Sequence, residues 1–101
     1  MYIAMNRFRI VRGHEETFVT YWKNRESYLD EVPGFTQFHL LQGPQTEQET
    51  LFISHTVWAS KEDFLNWTQS EAFRKAHAKA NLSPRDIYVG PPKLELFDAI
   101  L

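Results

Sequence analysis

The sequence predicts an α+β fold of the split βαβ, ferredoxin-like kind: an antiparallel sheet with two helices on one face, in the order β-α-β-β-α-β. Three observations carry this reading. Four segments are rich in β-branched and aromatic residues that alternate between two faces. Two longer segments repeat their apolar residues at helical spacing. Gly and Pro pairs, Arg12-Gly13, Pro33-Gly34 and Gly43-Pro44, fall between them. A length of 101 residues fits one domain spanning 1–101.

Tyr2–Val11 reads as the first strand. Ala4, Asn6, Phe8 and Ile10 share one face, and Ile3, Met5, Arg7, Arg9 and Val11 the other. His14–Leu29 reads as a helix, with Phe18, Trp22, Arg25 and Leu29 at helical spacing and Glu15 and Glu16 suited to its positive end. Phe35–Gln42 is a second strand, Gly43–Glu49 a polar loop and Thr50–Trp58 a third strand, with Leu51, Ile53, His55 and Val57 opposite Phe52, Ser54, Thr56 and Trp58. Ser60 caps a helix whose first turn holds Glu62 and Asp63. That helix runs towards Asn81, with a break or second cap at Ser70. Ser83–Pro92 reads as loop and Lys93–Leu101 as the last strand, with Leu94, Leu96 and Ile100 on one face.

Two helices cover one sheet face, yet the strands are apolar on both. A domain this small covers an open apolar face most cheaply with a second copy, so a sheet-to-sheet homodimer is expected. Hydrophobic residues make up 43% of the chain and aromatic ones 15%, enough for a core and for a pocket or subunit contact. A net charge of −2 and the lack of a basic patch argue against nucleic acid as partner. The chain has no cysteine, which excludes disulfides, thiolate ligands and a cysteine nucleophile. No apolar run approaches the roughly 18 residues that span a bilayer, and no leader pattern opens the chain, so a cytoplasmic protein with no membrane partner is expected.

Three residues stand out for chemistry. Asn6 is a lone amide in mid-strand, where Asn is disfavoured; it either faces water at an edge or offers its amide to a ligand. Trp67 is either core or the wall of a pocket. His77, flanked by Ala76 and Ala78, is either a locally bonded helix histidine or an axial ligand to haem iron, which imidazole suits. Trp67 and His77 are ten residues apart, so one straight helix would put them on adjoining faces. His39 and His55 read as core or dimer-surface residues and His14 as exposed. No histidine pair has zinc-like spacing, and no nucleotide or hydrolase motif is present. Glu15-Glu16 and Glu47/Glu49 read as solvated surface; Asp98 is the one acid to examine for burial.

These pieces resemble the antibiotic-biosynthesis-monooxygenase superfamily, and within it the IsdG-type haem-degrading monooxygenases. The matching residues are Asn6-Arg7 with Gly13, Gly34-Phe35, Thr56-Val57-Trp58, Ser60-Lys61, Phe64, Trp67, Ser70, Phe73 and Ala76-His77, from about Tyr2 to Ala80. The resemblance implies a ferredoxin-like dimer whose sheets form a shared β-barrel. It implies Asn6, Trp67 and His77 as catalytic residues and His77 as the metal ligand. Haem is then substrate and cofactor together, with O2 and an external electron donor, hence a separate reductase. Trp67 presses the ring out of plane, Asn6 steers the oxygen ligand, and Trp22 is a second wall. The macrocycle is opened and iron released. Ser83–Pro92 departs from the family pattern, which leaves propionate contacts and ring orientation open. Two other readings fit the fold: a cofactor-independent monooxygenase of a quinol or polyketide-like aromatic, and a non-catalytic dimeric haem-binding or stress module.

Overall fold

The structure, a computed structural model, describes residues 1–24, 29–78 and 85–101, with backbone alone at 72, 76–78 and 85. Its four-stranded antiparallel sheet has the order β2-β3-β1-β4, where β1 is Tyr2–Val11, β2 Phe35–Gln45, β3 Glu49–Trp58 and β4 Lys93–Asp98. The helices are α1 (Glu15–Lys23), α2 (Lys61–Thr68) and α3 (Glu71–Ala78), and single 3₁₀ turns lie at Leu29–Glu31 and Arg85–Ile87. This is the predicted ferredoxin-like arrangement, with the helices on one face and the other face open.

The break foreseen at Ser70 is present. Ser60 caps α2: its Oγ accepts from the Asp63 N–H at 3.2 Å and its hydroxyl donates to the Asp63 carboxylate at 2.9 Å. Ser70 repeats the device for α3, accepting from the Phe73 N–H at 3.1 Å while donating to the Trp67 carbonyl at 2.6 Å. Asp63 also fills the space beside Gly34, where an added Cβ would collide with its side chain; Gly34 has φ +85°, so only glycine turns the chain here without strain.

Three boundaries differ from expectation. α1 stops at Lys23 with Asn24 as its C-cap, and Leu29 belongs to a 3₁₀ turn. β2 runs on to Gln45, because a bulge between Gln42 and Gln45 takes up Gly43-Pro44 without ending the pairing. The turn that follows is closed by Thr46, whose Oγ1 accepts from the N–H groups of Gln48 and Glu49 at 3.2 and 3.1 Å. β4 ends at Asp98, so Ile100 lies beyond the strand, and Asp98 itself is exposed. Arg25 and the predicted helix end near Asn81 lie outside the described residues.

The core sits under the helices as two clusters. One joins Tyr2, Ala4, Leu29, Trp58 and Phe64, with Trp67 and Phe35 packed at its edge. The other joins Phe8, Ile10, Phe18, Phe52 and Ile87, with Trp22, Leu40 and Tyr88 at its edge. Ile87 comes from the segment expected to be loop; it is 2% exposed, and Tyr88 bridges to Ile10. Glu15 is not free surface: both its oxygens accept from the Gly13 N–H (2.9 and 3.1 Å), chiefly for which its carboxyl is held below the ordinary glutamate range.

Candidate functional site

The parting between the clusters falls on Asn6. On β1, Ala4 belongs to the first cluster and Phe8 to the second; Asn6 lies between them on the same face. Across the sheet its row is Leu40, Ser54, Asn6 and Leu94. Its middle places two polar side chains together, where the rows on either side set Ala4 beside Thr56 and Phe8 beside Phe52. Asn6 is half-buried, and its Oδ1 is shut off from water with no hydrogen-bond partner among the described residues. A buried amide oxygen left so costs about 1–3 kcal/mol. Asn6 is therefore not an edge residue facing water: β1 is central, paired to β3 on one side and β4 on the other.

Trp67, on α2, lies at the edge of the first cluster. Its ring meets Trp58 at 5.2 Å, Phe64 at 6.1 Å and Phe73 edge-on at 4.8 Å and 85°. It is half-buried, an edge of the core rather than its centre. Trp58 beneath it is fixed: its indole N–H donates to Thr56 Oγ1 at 3.1 Å, and Thr56 donates to the Ala4 carbonyl at 3.2 Å. Trp22 borders the seam from α1, stacked on Phe38 at 5.7 Å and 23° and edge-on to Phe8 at 5.8 Å. Asn6, Trp22 and Trp67 thus share one face of the sheet. His77 lies on α3, behind the Ser70 cap and past Phe73, which touches Trp67; its side chain lies outside the described residues. Because the helix breaks between them, the spacing argument for adjoining faces of one straight helix does not apply.

The open face carries different chemistry. Arg7 pairs with Glu95 at 3.5 Å and Arg9 with Glu49 at 3.8 Å. A hollow of about 450 Å³ there is lined by Arg7, Arg9, Thr46, Leu51 and Lys93, none of them a predicted site residue. His39 and His55 also stand on this face as direct cross-strand partners; neither is in the core. Ser54, beside Asn6, was missed by sequence reasoning, since a serine in a strand carries no signal until the register is known.

A family model described as antibiotic biosynthesis monooxygenase matches residues 1–79. A heme-degrading monooxygenase of Halalkalibacterium halodurans is 33% identical over 79 residues, 78% of this chain and 67% of that protein. One of Bacillus thuringiensis is 29% identical over 98 residues, 97% of this chain and 89% of that protein. The solved structure of the heme-degrader MhuD from Mycobacterium tuberculosis, with two hemes bound in its active site, is 25% identical with a TM-score of 0.72, covering 100% of this chain and 97% of that one. With 79 residues or more of the chain aligned in each case and the fold reproduced, the chain belongs to the antibiotic biosynthesis monooxygenase family.

Proposed function

We propose that this chain is a haem-degrading monooxygenase of the IsdG type, which binds haem in the seam between the two core clusters, opens the ring and releases iron. The observation that carries the reading is the orphaned amide oxygen of Asn6, kept at the parting of an aromatic core where an apolar side chain would leave no polar atom unpaired. The names and the haem-bound structure of the relatives supply the substrate class.

The residues present suit a macrocycle. Trp67 and Trp22 offer aromatic surface for its faces, and the amide offers one polar group among apolar walls. Haem, once bound, is both substrate and cofactor and supplies the iron at which O2 is activated. The chain's own part is orientation. His77 provides an imidazole nitrogen to hold the metal. Trp67, braced by Trp58 and Phe73, meets a flat ring with a surface that does not yield, so distortion falls on the ligand. Asn6, held by strands on both sides, keeps its amide at a fixed height above the sheet and donates from its NH₂ to an oxygen in the seam. Trp22 closes the opposite wall. Electrons come from a separate reductase. Two copies join through the open sheet face to form a barrel. A cysteine-free chain that works with a cellular reductase fits the cytoplasm; among the described residues no helix is long and apolar enough to cross a membrane.

Titration with haemin tests the reading. A Soret shift that saturates, followed by loss of the band and iron captured by a ferrous chelator when ascorbate is added in air, is the expected result. His77→Ala should move the Soret band towards that of free haemin; an unchanged spectrum removes His77 as ligand. Absence of any shift with the unaltered chain overturns the proposal and leaves the metal-free oxygenase and the non-catalytic module as readings.

A further inference from the structure

Ser54 stands beside Asn6. The two are direct cross-strand partners on the helix side of the sheet, and Leu40 and Leu94 complete the row. Directly opposed side chains have Cβ atoms about 4.5–5.5 Å apart, a gap that a serine hydroxyl and an asparagine amide close with one hydrogen bond. In this structure they do not close it. The Asn6 Oδ1 is shut off from water and has no partner among the described residues.

The other hydroxyls on this side of β3 are committed. Thr56 donates to the Ala4 carbonyl at 3.2 Å and accepts from the Trp58 indole at 3.1 Å. Thr50 donates to the Glu15 carboxylate at 3.4 Å. Ser54 is half-buried between them, and its hydroxyl has no hydrogen-bond partner among the described residues. The row therefore holds an acceptor without a donor and, on the next strand, a donor without an acceptor.

The orientation of the amide joins the two. The terminal torsion of asparagine is broad and two-fold, so either the oxygen or the NH₂ can face the seam. An amide oxygen facing a guest's oxygen repels it, and an NH₂ there binds it. Keeping the NH₂ towards the guest requires a donor that holds Oδ1. Leu40 and Leu94 offer none, and Ser54 offers one.

Resting on the haem reading of the preceding section, we propose that Ser54 is a positioning residue for Asn6: with haem in the seam, the Ser54 hydroxyl donates to Asn6 Oδ1 and fixes the amide with its NH₂ towards the guest. Rotation about the Ser54 Cα–Cβ bond makes the contact without moving the strand. The two hydrogen bonds support each other, because an amide that donates from its nitrogen is polarised into a better acceptor at its oxygen.

A carbonyl complex tests this. The haem-loaded chain is reduced with dithionite under CO without oxygen, and the C–O stretch, which a donated hydrogen bond lowers, is read by infrared spectroscopy. Ser54→Ala is expected to raise the stretch towards its value in Asn6→Leu, while Ser54→Thr, which keeps the hydroxyl, holds it near that of the unaltered chain. Turnover should follow, with kcat about three- to tenfold lower in Ser54→Ala, the range that one neutral hydrogen bond supplies. The Kd for haem and the melting temperature of the haem-free chain should stay as they were. A stretch that ignores Ser54→Ala overturns the positioning role. Lost turnover with a lower melting temperature and no spectral change also overturns it, by making Ser54 a packing residue. Should Ser54→Ala not fold, Ser54→Cys keeps the shape with a weaker donor, and an unmoved stretch there overturns the role equally. A chain that forms no haem complex overturns the haem reading itself, a result separate from a complex in which Ser54 has no effect.

Discussion

Asn6 is anchored through backbone pairing to Ser54 and Leu94, so its replacement changes the chemistry of the seam without moving the strand. Leucine has the same number and branching of side-chain heavy atoms and carries no polar atom. Asn6→Leu should therefore stabilise the fold by about 1–2 kcal/mol, by removing a buried unpaired oxygen and joining Ala4 to Phe8 with apolar surface. In a domain of this size that is a rise of several degrees in Tm, about 4–8 °C per kcal/mol, read by calorimetry. The same change should lower haem turnover about 100-fold or more, the usual cost of losing one positioned donor. Stability gained as activity is lost is the mark of a residue kept for function. A fall in Tm would instead show that the amide is held by the fold. Trp67 differs: it shares ring contacts with Trp58, Phe64 and Phe73, so its loss confounds packing with function and makes a poorer probe.

The elements whose local chemistry is complete in sequence were legible there. Ser60 and Ser70 announce their helices because a serine that satisfies a free N–H needs nothing distant. The alternation of β1 puts Ala4, Asn6, Phe8 and Ile10 on one face, and that face is the one turned to the core. What failed depends on partners far along the chain. Gly43-Pro44 reads as a turn, yet the partner strand extends past it and a bulge absorbs it. Ile87 reads as loop because prolines and polar residues surround it, yet it closes the second cluster from 77 positions beyond Ile10. An apolar Ile-Tyr-Val run inside a loop was the available signal. Ile87→Ala should cost about 2–5 kcal/mol, since the side chain is wholly buried and its neighbours Phe18 and Phe52 leave little room to collapse. Chemical denaturation checks this; a cost below about 1 kcal/mol would mean the segment is not docked in solution.

Across the whole molecule, the sheet divides the labour. One face gathers the aromatic clusters and the amide, the other the histidine pair and the ionic edges. The family model ends at residue 79, so β4 and the Ile87 turn lie beyond it, though both complete the sheet and its core and the Bacillus thuringiensis relative aligns over 98 residues. The divided interior has a practical outcome. Any flat guest that settles between the halves mends the fault line in the protein's own cohesion, and it does so whether or not it reacts. Heating the chain with candidate tetrapyrroles, quinols and polycyclic aromatics should rank them by how far each delays melting, about 2.7 kcal/mol of added resistance at a hundredfold excess over Kd. A thermometer and a dye can thus question this fold about its diet before any reductase is in hand.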